Sequence, residues 1–302
     1  MTDSSSSTDN SLPDRLPHRV RHELRFRKLE VRAVQRVTPH LVRITLGGAE
    51  LEGFTSPGFD DHSKLFFPDP QTGALRLPIV GPDGPSWPEG AKPAMRDDTP
   101  RRHDAEAGTL EFDFALHEAG PATRWAEQAR IGDVLGVGGP RGSFIVPMDF
   151  DWHLLIGDDT ALPAISRRLA ELPAGARALV LAEVDHEADQ IPLPTRADLS
   201  LHWVHRRDAE PGTGSALLDT LRALTLPPGD FHAWVACESA ISKALRAHLV
   251  ADRGANPKWI RASGYWRRGH PRHPRQLSAP EQPAECAAPR GCLTPPCHPA
   301  KI

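Results

Sequence analysis

Residues 153–173 read HLLIGDDTALPAISRRLAELP and predict a strand that passes directly into a helix. The strand is short and apolar, and it ends at Gly157 and the two aspartates that follow. The helix is predicted after these acids, because apolar residues then recur at helical spacing. A strand and a helix joined by such a turn form the unit from which doubly wound parallel sheets are built.

The same alternation of strand and helix continues along the chain. The predicted strands are RALVLAEV, LSLHWVH and FHAWVACE, and the predicted helices are SALLDTLRALT and SAISKALRAHLVADRG, the last ending at Gly254. This rhythm predicts a parallel, doubly wound nucleotide-binding-like α/β domain, which we place at residues 148–270.

Residues 18–147 show a different pattern. The runs VRAVQRVT, LVRITLGG, KLFFP, TLEFDFALH and DVLGVGGP are rich in β-branched and aromatic residues and are separated by Gly and Pro. They predict an antiparallel β-barrel, which one short helix, PATRWAEQA, interrupts. The two ends, residues 1–17 and 271–302, are rich in Ser, Asp or Pro and are predicted to be a disordered arm and tail.

Composition and charge exclude several classes of protein. The chain has 302 residues, with 36 Lys and Arg against 39 Asp and Glu, and its net charge of -3 gives no basic field for nucleic acid or an anionic membrane. No stretch approaches the roughly 20 apolar residues of a membrane span, and no signal-peptide pattern opens the sequence. We therefore expect a soluble, cytoplasmic protein. Cys286, Cys292 and Cys297 fit no common zinc knuckle, so no metal site is expected.

Two stretches of the predicted barrel carry groups that suit a flavin. RDDTPRRHD begins at Arg96, which offers a cation for a pyrophosphate, and Thr99 offers a hydroxyl near N5 of the ring. LHEAGPATRWA begins at Leu116 and passes into a helix start, whose free N–H groups suit a phosphate. Each stretch also has a purely structural interpretation. The first would be a solvated loop of mixed charge, and the second would be an ordinary strand–turn–helix with Thr123 as the helix cap.

Two stretches of the α/β part also carry candidate groups. LLIGDDTALPAI lies where the first strand of such a sheet meets a nucleotide, and Thr160 with the helix start is favourable there. The acids Asp158 and Asp159 would instead repel a pyrophosphate. At the end of the fold, Tyr265 is followed by Trp-Arg-Arg. Such aromatic residues can stack on the ring of a ligand, and the paired arginines can hold an anion. A solvated basic terminus with a packed Trp is the alternative.

Taken together, these segments resemble the siderophore-interacting proteins, flavin-binding ferric-siderophore reductases related to the ferredoxin reductase group. The matching stretches occur in the same order as in the family and together cover about residues 20–269. The stretches that carry it are DDHSKLFFP, MRDDTPRR, FALHEAGPATRWA, GDVLGVGGPRGSF, LLIGDDTALPAI and WIRASGYWRRG.

The resemblance implies FAD held noncovalently by the barrel domain. It places Arg96 on the FAD phosphates and Thr99 near N5 of the ring, and the helix start beside the pyrophosphate. The cofactor-binding residues that it implies are Arg96, Asp97, Asp98, Thr99, His117, Gly120, Ala122 and Thr123.

The resemblance further implies an electron donor and a substrate. The donor is NADH, NADPH or, in some members, reduced ferredoxin, and the substrate is a ferric siderophore. The acidic stretch AEVDHEADQ at 182–190 favours NADH or a protein donor over NADPH, but only slightly, because Arg206 and Arg207 follow the next strand. The residues assigned to the donor nucleotide are Gly157, Asp158, Thr160, Ala161 and Glu238, and those assigned to the anionic ferric complex are Lys64, Arg267 and Arg268.

The implied chemistry requires little from the side chains of the protein. Siderophores bind Fe(III) through hard, anionic oxygens and hold Fe(II) much less well, so one electron loosens the metal. FAD accepts a hydride pair and gives up electrons singly. We therefore expect outer-sphere transfer by a monomer, with no catalytic side chain and no protein ligand to iron.

One position departs from the family pattern. Asp98 stands where the flavin motif has an aromatic residue that stacks on the ring. A carboxylate cannot stack, and its charge disfavours an anionic reduced flavin. Two alternatives therefore stay open: a general NAD(P)H-dependent flavin or ferric reductase, and a non-catalytic siderophore-binding module that has lost FAD.

Overall fold

The computed structural model describes residues 15–82, 84–90, 92–116 and 120–269. Within them, antiparallel β structure comes first and a parallel sheet with helices follows, so the predicted fold class is confirmed. Most of the predicted arm and all of the predicted tail lie outside the described residues.

The first part contains eleven strands and one α-helix. Seven of the strands form one antiparallel sheet in the order β7-β4-β10-β2-β3-β9-β8, while β1 pairs with β11 and β5 pairs with β6. The elements are β1 His18–Arg21, β2 Phe26–Thr38, β3 Leu41–Gly47, β4 Ser63–Phe66, β5 Ile79–Gly81, β6 Gly84–Ser86, β7 Met95–Asp98, β8 Arg102–Asp104, β9 Thr109–Ala115, α1 Pro121–Gln128, β10 Val134–Gly138 and β11 Gly142–Ile145.

The seven-stranded sheet curls back towards itself. Its two edges are β7 and β8, yet only residues 99–101 separate these strands in the sequence. Two edges can be joined by so short a link only if the sheet bends until they meet, because each residue spans at most about 3.6 Å. The apolar residues on its inner face are buried, among them Val42, Ile44 and Phe112. Thr99 lies at the point of closure.

The second part is a parallel sheet with helices on both faces. Its five strands lie in the order β14-β13-β12-β15-β16, and every pairing is parallel. Among the described residues, no helix is both long and apolar enough to span a bilayer. The elements are β12 Trp152–Asp158, α2 Leu162–Glu171, β13 Arg177–Val184, β14 Asp198–His205, α3 Ala216–Ala223, β15 Phe231–Glu238, α4 Ser239–Ala251 and β16 Ile260–Trp266.

The last strand, β16, was not predicted. The stretch IRASGYW has a mostly intermediate exposure and no apolar alternation, because it forms the edge of the sheet. Helix α4 ends at Ala251, three residues before the predicted end, and Gly254 follows with a φ of 66°. The strand order reverses at β12, which places a crevice at the carboxyl ends of β12 and β15.

Polar contacts fix the two parts against each other. The guanidinium of Arg167 on α2 donates to the Ser56 hydroxyl at 3.0 Å and to the Pro100 carbonyl at 3.1 Å. Asp60, from the loop before β4, accepts from Trp234 Nε1 at 3.0 Å and also from Arg261 Nε. Since β15 and β16 supply these two donors, the barrel is attached to the edge of the parallel sheet.

The packing around position 157 explains why a glycine is needed there, which the sequence alone does not reveal. A Cβ at this position would lie 2.3 Å from Ala161 Cβ and 2.8 Å from the Ala236 carbonyl oxygen. We expect Gly157→Ala to lower the free energy of unfolding by about 1–3 kcal/mol, the usual cost of overpacking a core. Thermal unfolding of the purified protein measures this loss.

Gly214→Ala is the matched control, because a Cβ there meets only the Ala216 nitrogen at 3.8 Å. Equal melting temperatures for the Gly157 and Gly214 variants would contradict the packing argument.

Candidate functional site

A cleft lies between the barrel and the parallel sheet. Its empty space is ≈ 950 Å³, the open mouth included. Residues 96–99, on and after β7, line the barrel side. Thr160 and Pro163, at the start of α2, and residues 263–265, near the end of β16, line the other side. The cleft therefore brings together two stretches that the sequence analysis placed in separate domains.

The β7 side of the cleft carries charges of both signs, Arg96 followed by Asp97 and Asp98. Arg96 Nε is buried and has no hydrogen-bond partner in the described part of the chain, while Asp98 Oδ1 lies 3.5 Å from it. Asp97 accepts a hydrogen bond of 2.7 Å from Lys64 Nζ on the neighbouring strand β4. Thr99 is buried beside them. A guanidinium held in this way is suited to a phosphate oxygen.

Asp113 is a cleft residue that the sequence analysis missed. It lies on β9, and its carboxylate accepts from Arg43 Nε at 2.7 Å and from Arg43 Nη2 at 2.9 Å. Arg101 Nε lies 3.3 Å away, so two guanidiniums compensate this one charge. The available signal was a carboxylate placed between two aromatic residues, Phe112 and Phe114, within a strand.

Asp60, His62, Arg261 and Ser263 also line the cleft and were not singled out in the sequence. Asp60 and Arg261 form a salt bridge across the junction between the barrel and the parallel sheet. No local pattern marks this pair, because the two residues are 201 positions apart.

The start of α1 offers backbone donors. Gly120 is its N-cap in an extended conformation, no side chain caps it, and Pro121 occupies the first turn. The N–H groups of Ala122 and Thr123 have no partner within the helix, as in any first helical turn. Among the described residues outside its immediate neighbours, a Cβ at Gly120 would meet no atom within 4 Å. His117 lies outside the described residues.

The residues assigned to the donor nucleotide lie at the carboxyl edge of the parallel sheet. Asp158 is 3% exposed, and its carboxylate accepts from Thr160 N at 3.0 Å, Thr160 Oγ1 at 2.6 Å and Trp266 Nε1 at 2.7 Å. Thr160 lines the cleft, while Ala161 is fully buried. An incoming pyrophosphate would meet the Asp158 charge at this position.

Glu238 has a comparable role at the next helix. Its Oε2 caps α4 by accepting from Ala240 N at 2.5 Å and from Ile241 N at 3.2 Å. Its Oε1 accepts from Arg268 N at 3.4 Å. Carboxylates of the protein itself therefore cap the short 3-10 helix Asp159–Ala161 that precedes α2 and the start of α4, so these backbone donors are not free for a phosphate.

A third carboxylate lies beside them at the end of β13. Glu183 is buried, and burial together with the nearby Asp158 charge raises its pKa to about 7. Arg206 contacts Glu183 Oε1 at 3.5 Å and Asp159 Oδ2 at 2.9 Å. The guanidinium of Arg206 is thus engaged by two acids and is a poor partner for the 2′-phosphate of NADPH.

The residues assigned to the ferric complex do not meet at one place. Lys64 is bonded to Asp97 and is not among the described residues that line the cleft. Arg267 and Arg268 are exposed beyond the end of β16. Their role in substrate binding stays a prediction.

Comparison with known proteins identifies the family. The siderophore-interacting FAD-binding domain matches residues 30–144, and the siderophore-interacting protein domain matches residues 150–269. The chain belongs to the siderophore-interacting protein family. The recognised relationship and the ferredoxin reductase-like fold are therefore confirmed.

Members of the family and more distant flavoproteins show the same architecture. The NADPH-dependent ferric-chelate reductase of Escherichia coli K12 is 38% identical over 260 residues, which cover 85% of this chain and 98% of that protein. A siderophore utilization protein from T. fusca is 39% identical, with a TM-score of 0.80 and coverage of 85% and 98%. The ferredoxin reductase of a carbazole 1,9a-dioxygenase shares the fold at 17% identity, with a TM-score of 0.58 and coverage of 80% and 67%.

The described residues fit the FAD that the family's barrel domain binds, with one exception. The buried Arg96 Nε and the uncapped start of α1 are both suited to phosphate oxygens, and the cleft is large enough for a ring system. The exception is Asp98, a carboxylate in the cleft wall at the place of the siderophore-interacting family's aromatic residue.

The raised pKa of Glu183 makes stability depend on pH. Between pH 4.5 and about 7 the folded protein holds a proton that the unfolded chain has released, so the free energy of unfolding falls as the pH rises. We expect Glu183→Gln to remove part of this fall between about pH 5 and pH 7, by at most about 3 kcal/mol. Urea denaturation at several pH values measures it.

Glu187→Gln, at an exposed position of the same acidic stretch, is the control. Parallel pH curves for Glu183→Gln and Glu187→Gln would contradict the assignment of the proton to Glu183.

Proposed function

We propose that this protein uses noncovalently bound FAD to reduce the Fe(III) of a siderophore, with electrons from NADH, NADPH or reduced ferredoxin. The observation that carries the proposal is the cleft at the domain junction. It places the buried guanidinium of Arg96 and the hydroxyl-bearing Thr99 opposite the end of β16, in a chain that matches both domains of the family.

The barrel side of the cleft would hold and orient the cofactor. Arg96 supplies a fixed charge for the pyrophosphate, and the first-turn N–H groups of α1 supply neutral donors. Thr99, at the closure of the barrel, lies on the same side and offers a hydroxyl to the ring. Tyr265 lines the opposite wall, where an aromatic face can pack on a flavin.

Bound FAD supplies the step from a two-electron donor to a one-electron acceptor. The protein itself contributes position and electrostatics, since the acceptor is a metal ion already enclosed by its ligand. Reduction to Fe(II) weakens the bonds between the metal and the hard anionic oxygens of the siderophore, so the metal can leave without a proton transfer from a side chain. Outer-sphere transfer requires only a short distance between the ring and the ferric complex.

The carboxyl edge of the sheet supports NADH or a protein donor more than NADPH. Asp158 caps the 3-10 helix before α2, Glu238 caps α4, and Arg206 is engaged by Asp159 and Glu183. The Escherichia coli relative carries NADPH dependence in its name. Comparing the rates of flavin reduction by NADH, NADPH and reduced ferredoxin therefore identifies the electron donor.

Visible spectroscopy of the protein with added FAD tests the whole proposal. We expect bound flavin bands that bleach under an anaerobic donor and recover when a ferric siderophore is added, with Fe(II) trapped by a chelator. Reduction of simple ferric chelates at the same rate would favour a general ferric reductase. Failure to bind FAD in excess would favour a siderophore-binding module.

Arg96 is expected to contribute strongly to FAD affinity. Arg96→Ala removes a charged hydrogen bond to the cofactor, which is worth about 1.5–3 kcal/mol, so the Kd for FAD should rise roughly ten- to hundredfold. Fluorescence titration of the apoprotein with FAD measures this change. Arg102→Ala is the control, because Arg102 is exposed and pairs with Asp104; an equal loss in both variants would refute the role of Arg96.

Asp98 is expected to weaken FAD binding. Asp98→Tyr removes a charge and adds a ring that can stack, and an aromatic pair contributes about 0.5–1.5 kcal/mol, so FAD should bind several-fold more tightly. Asp98→Asn separates the two causes, because it removes the charge alone. Unchanged affinity in the Tyr variant would show that this side chain does not face the ring.

A further inference from the structure

A recess lies along the last strand of the parallel sheet. It is lined by residues 260–263 of β16, by Phe144 of β11 and by Pro17 and Arg19 from the start of the described chain. Its empty space is ≈ 610 Å³, the open mouth included. Within the described residues, no further strand pairs with the outer edge of β16. The recess therefore borders a sheet edge that no strand covers.

The recess collects positive charge from four separate elements. The cations are Arg19 on β1, Arg246 on α4, Lys258 in the short 3-10 helix Pro257–Trp259 and Arg261 on β16. None of the described residues that line the recess is acidic. Positive charges gathered in a concave site attract an anion.

Other exposed arginines of the barrel have an acid beside them. Arg25 pairs with Glu23 at 2.7 Å, and Arg102 pairs with Asp104 at 2.9 Å. The recess differs, because the carboxylate that contacts Arg261, Asp60, belongs to the wall of the cleft. A negative group from elsewhere would therefore find more uncompensated charge in this recess than beside those arginines.

A buried histidine of the recess lacks a hydrogen-bond partner. His232 lies on β15 and is 1% exposed, and neither of its ring nitrogens has a partner in the described part of the chain. Burial and the nearby Arg168, His153 and Arg261 hold its pKa well below the usual value, so the ring is neutral. A neutral imidazole still has one N–H to donate, and an acceptor oxygen in the recess would satisfy it.

The sequence that precedes the recess carries the complementary charge. Residues 1–14, MTDSSSSTDNSLPD, contain three aspartates and no Lys, Arg or His, and they lie outside the described residues. The described chain begins at Arg15, whose Nη1 donates to Asp230 at 3.1 Å. Pro17 already lines the recess. Asp14 is three residues from Pro17, a distance of at most about 11 Å along the chain.

We propose that residues 1–14, here called the acidic segment, bind in this recess, here called the basic recess, of the same molecule. Tethering favours the contact, because a segment joined to its site by a few residues is present there at a high effective concentration. Any other anion that enters the basic recess must displace the acidic segment. The inference goes beyond the proposed function and does not depend on it.

Zero-length cross-linking of the full-length chain tests the contact. A carbodiimide joins a carboxylate to a lysine amine as an amide when the two groups touch, and the carbodiimide takes up the water as a urea. We expect mass spectrometry to find a cross-link between the acidic segment and Lys258 within one molecule. Its yield should fall as salt is raised. Lys243 is the matched control, because it is exposed like Lys258 and lies on α4 with Arg246, but is not part of the basic recess.

Variants of the basic recess keep both reacting groups and change only the attraction. Arg19→Gln and Arg246→Gln should each lower the yield at Lys258 about two- to fivefold, as expected for loss of one exposed charge pair. Arg21→Gln should leave it unchanged, because Arg21 lies on the same strand as Arg19 but outside the basic recess.

Hydrogen exchange gives a readout without a cross-linker. Replacing the aspartates at positions 3, 9 and 14 together by asparagine removes the charge of the acidic segment. We expect the amides of residues 260–263 to exchange faster in this triple variant than in the original chain, because the edge of β16 is then uncovered. Amides of β14, at the opposite edge of the sheet, should not change.

Several results would overturn the inference. Equal yields at Lys258 and Lys243, or a yield at Lys258 that neither salt nor Arg19→Gln changes, would show that the basic recess does not attract the acidic segment. In a mixture of isotope-labelled and unlabelled chains, a cross-link found only between molecules would assign the contact to a second copy. A cross-link from Lys258 to Glu281 or Glu285 would assign it to residues 270–302 instead. None of these readouts requires FAD or an electron donor, so a failed reductase assay leaves them unaffected.

Discussion

The contact of Asp60 with two donors from the α/β domain is the interaction on which the site depends. Asp60 is 6% exposed and accepts from Trp234 Nε1 at 3.0 Å and from Arg261 Nε. Removing one partner from such a buried charged contact typically costs about 3–5 kcal/mol, because the remaining charge is left uncompensated. The contact fixes the edge strand β16 against the barrel. Arg261 is thereby held in the wall of the cleft, together with Ser263 on the same strand.

Three buried acids lie at the carboxyl edge of the parallel sheet. They are Asp158, Glu183 and Glu238. Asp158 caps the short 3-10 helix Asp159–Ala161 before α2, and Glu238 caps α4. In ordinary dinucleotide-binding folds, the backbone N–H groups of such helix starts hold the phosphates. A pyrophosphate at this edge of the sheet would therefore meet carboxylates of the protein.

Local patterns in the sequence were enough to predict the barrel, the alternating α/β domain and the stretch at Arg96–Thr99 that lines the cleft. Such patterns depend on residues close together in the chain. The edge strand β16 and the Asp60–Arg261 contact depend on residues far apart, and no periodicity marks them. Gly157 shows a second way in which local patterns mislead. A glycine at the end of a strand is typical of a phosphate-binding turn, yet here the close approach of Ala161 and Ala236 explains why no side chain fits.

In the proposed function, Asp98 would link the affinity for FAD to the reducing power of the flavin. Because Asp98 lies 3.5 Å from Arg96, a phosphate oxygen that binds Arg96 would replace one anion by another, and the net gain would be smaller than for an unpaired guanidinium. A carboxylate in the cleft wall would also disfavour added negative charge on a neighbouring ring and so lower its reduction potential. Ferric siderophores are hard to reduce because their oxygen donors stabilise Fe(III). A carboxylate that weakens FAD binding would therefore increase the driving force for electron transfer to such a substrate.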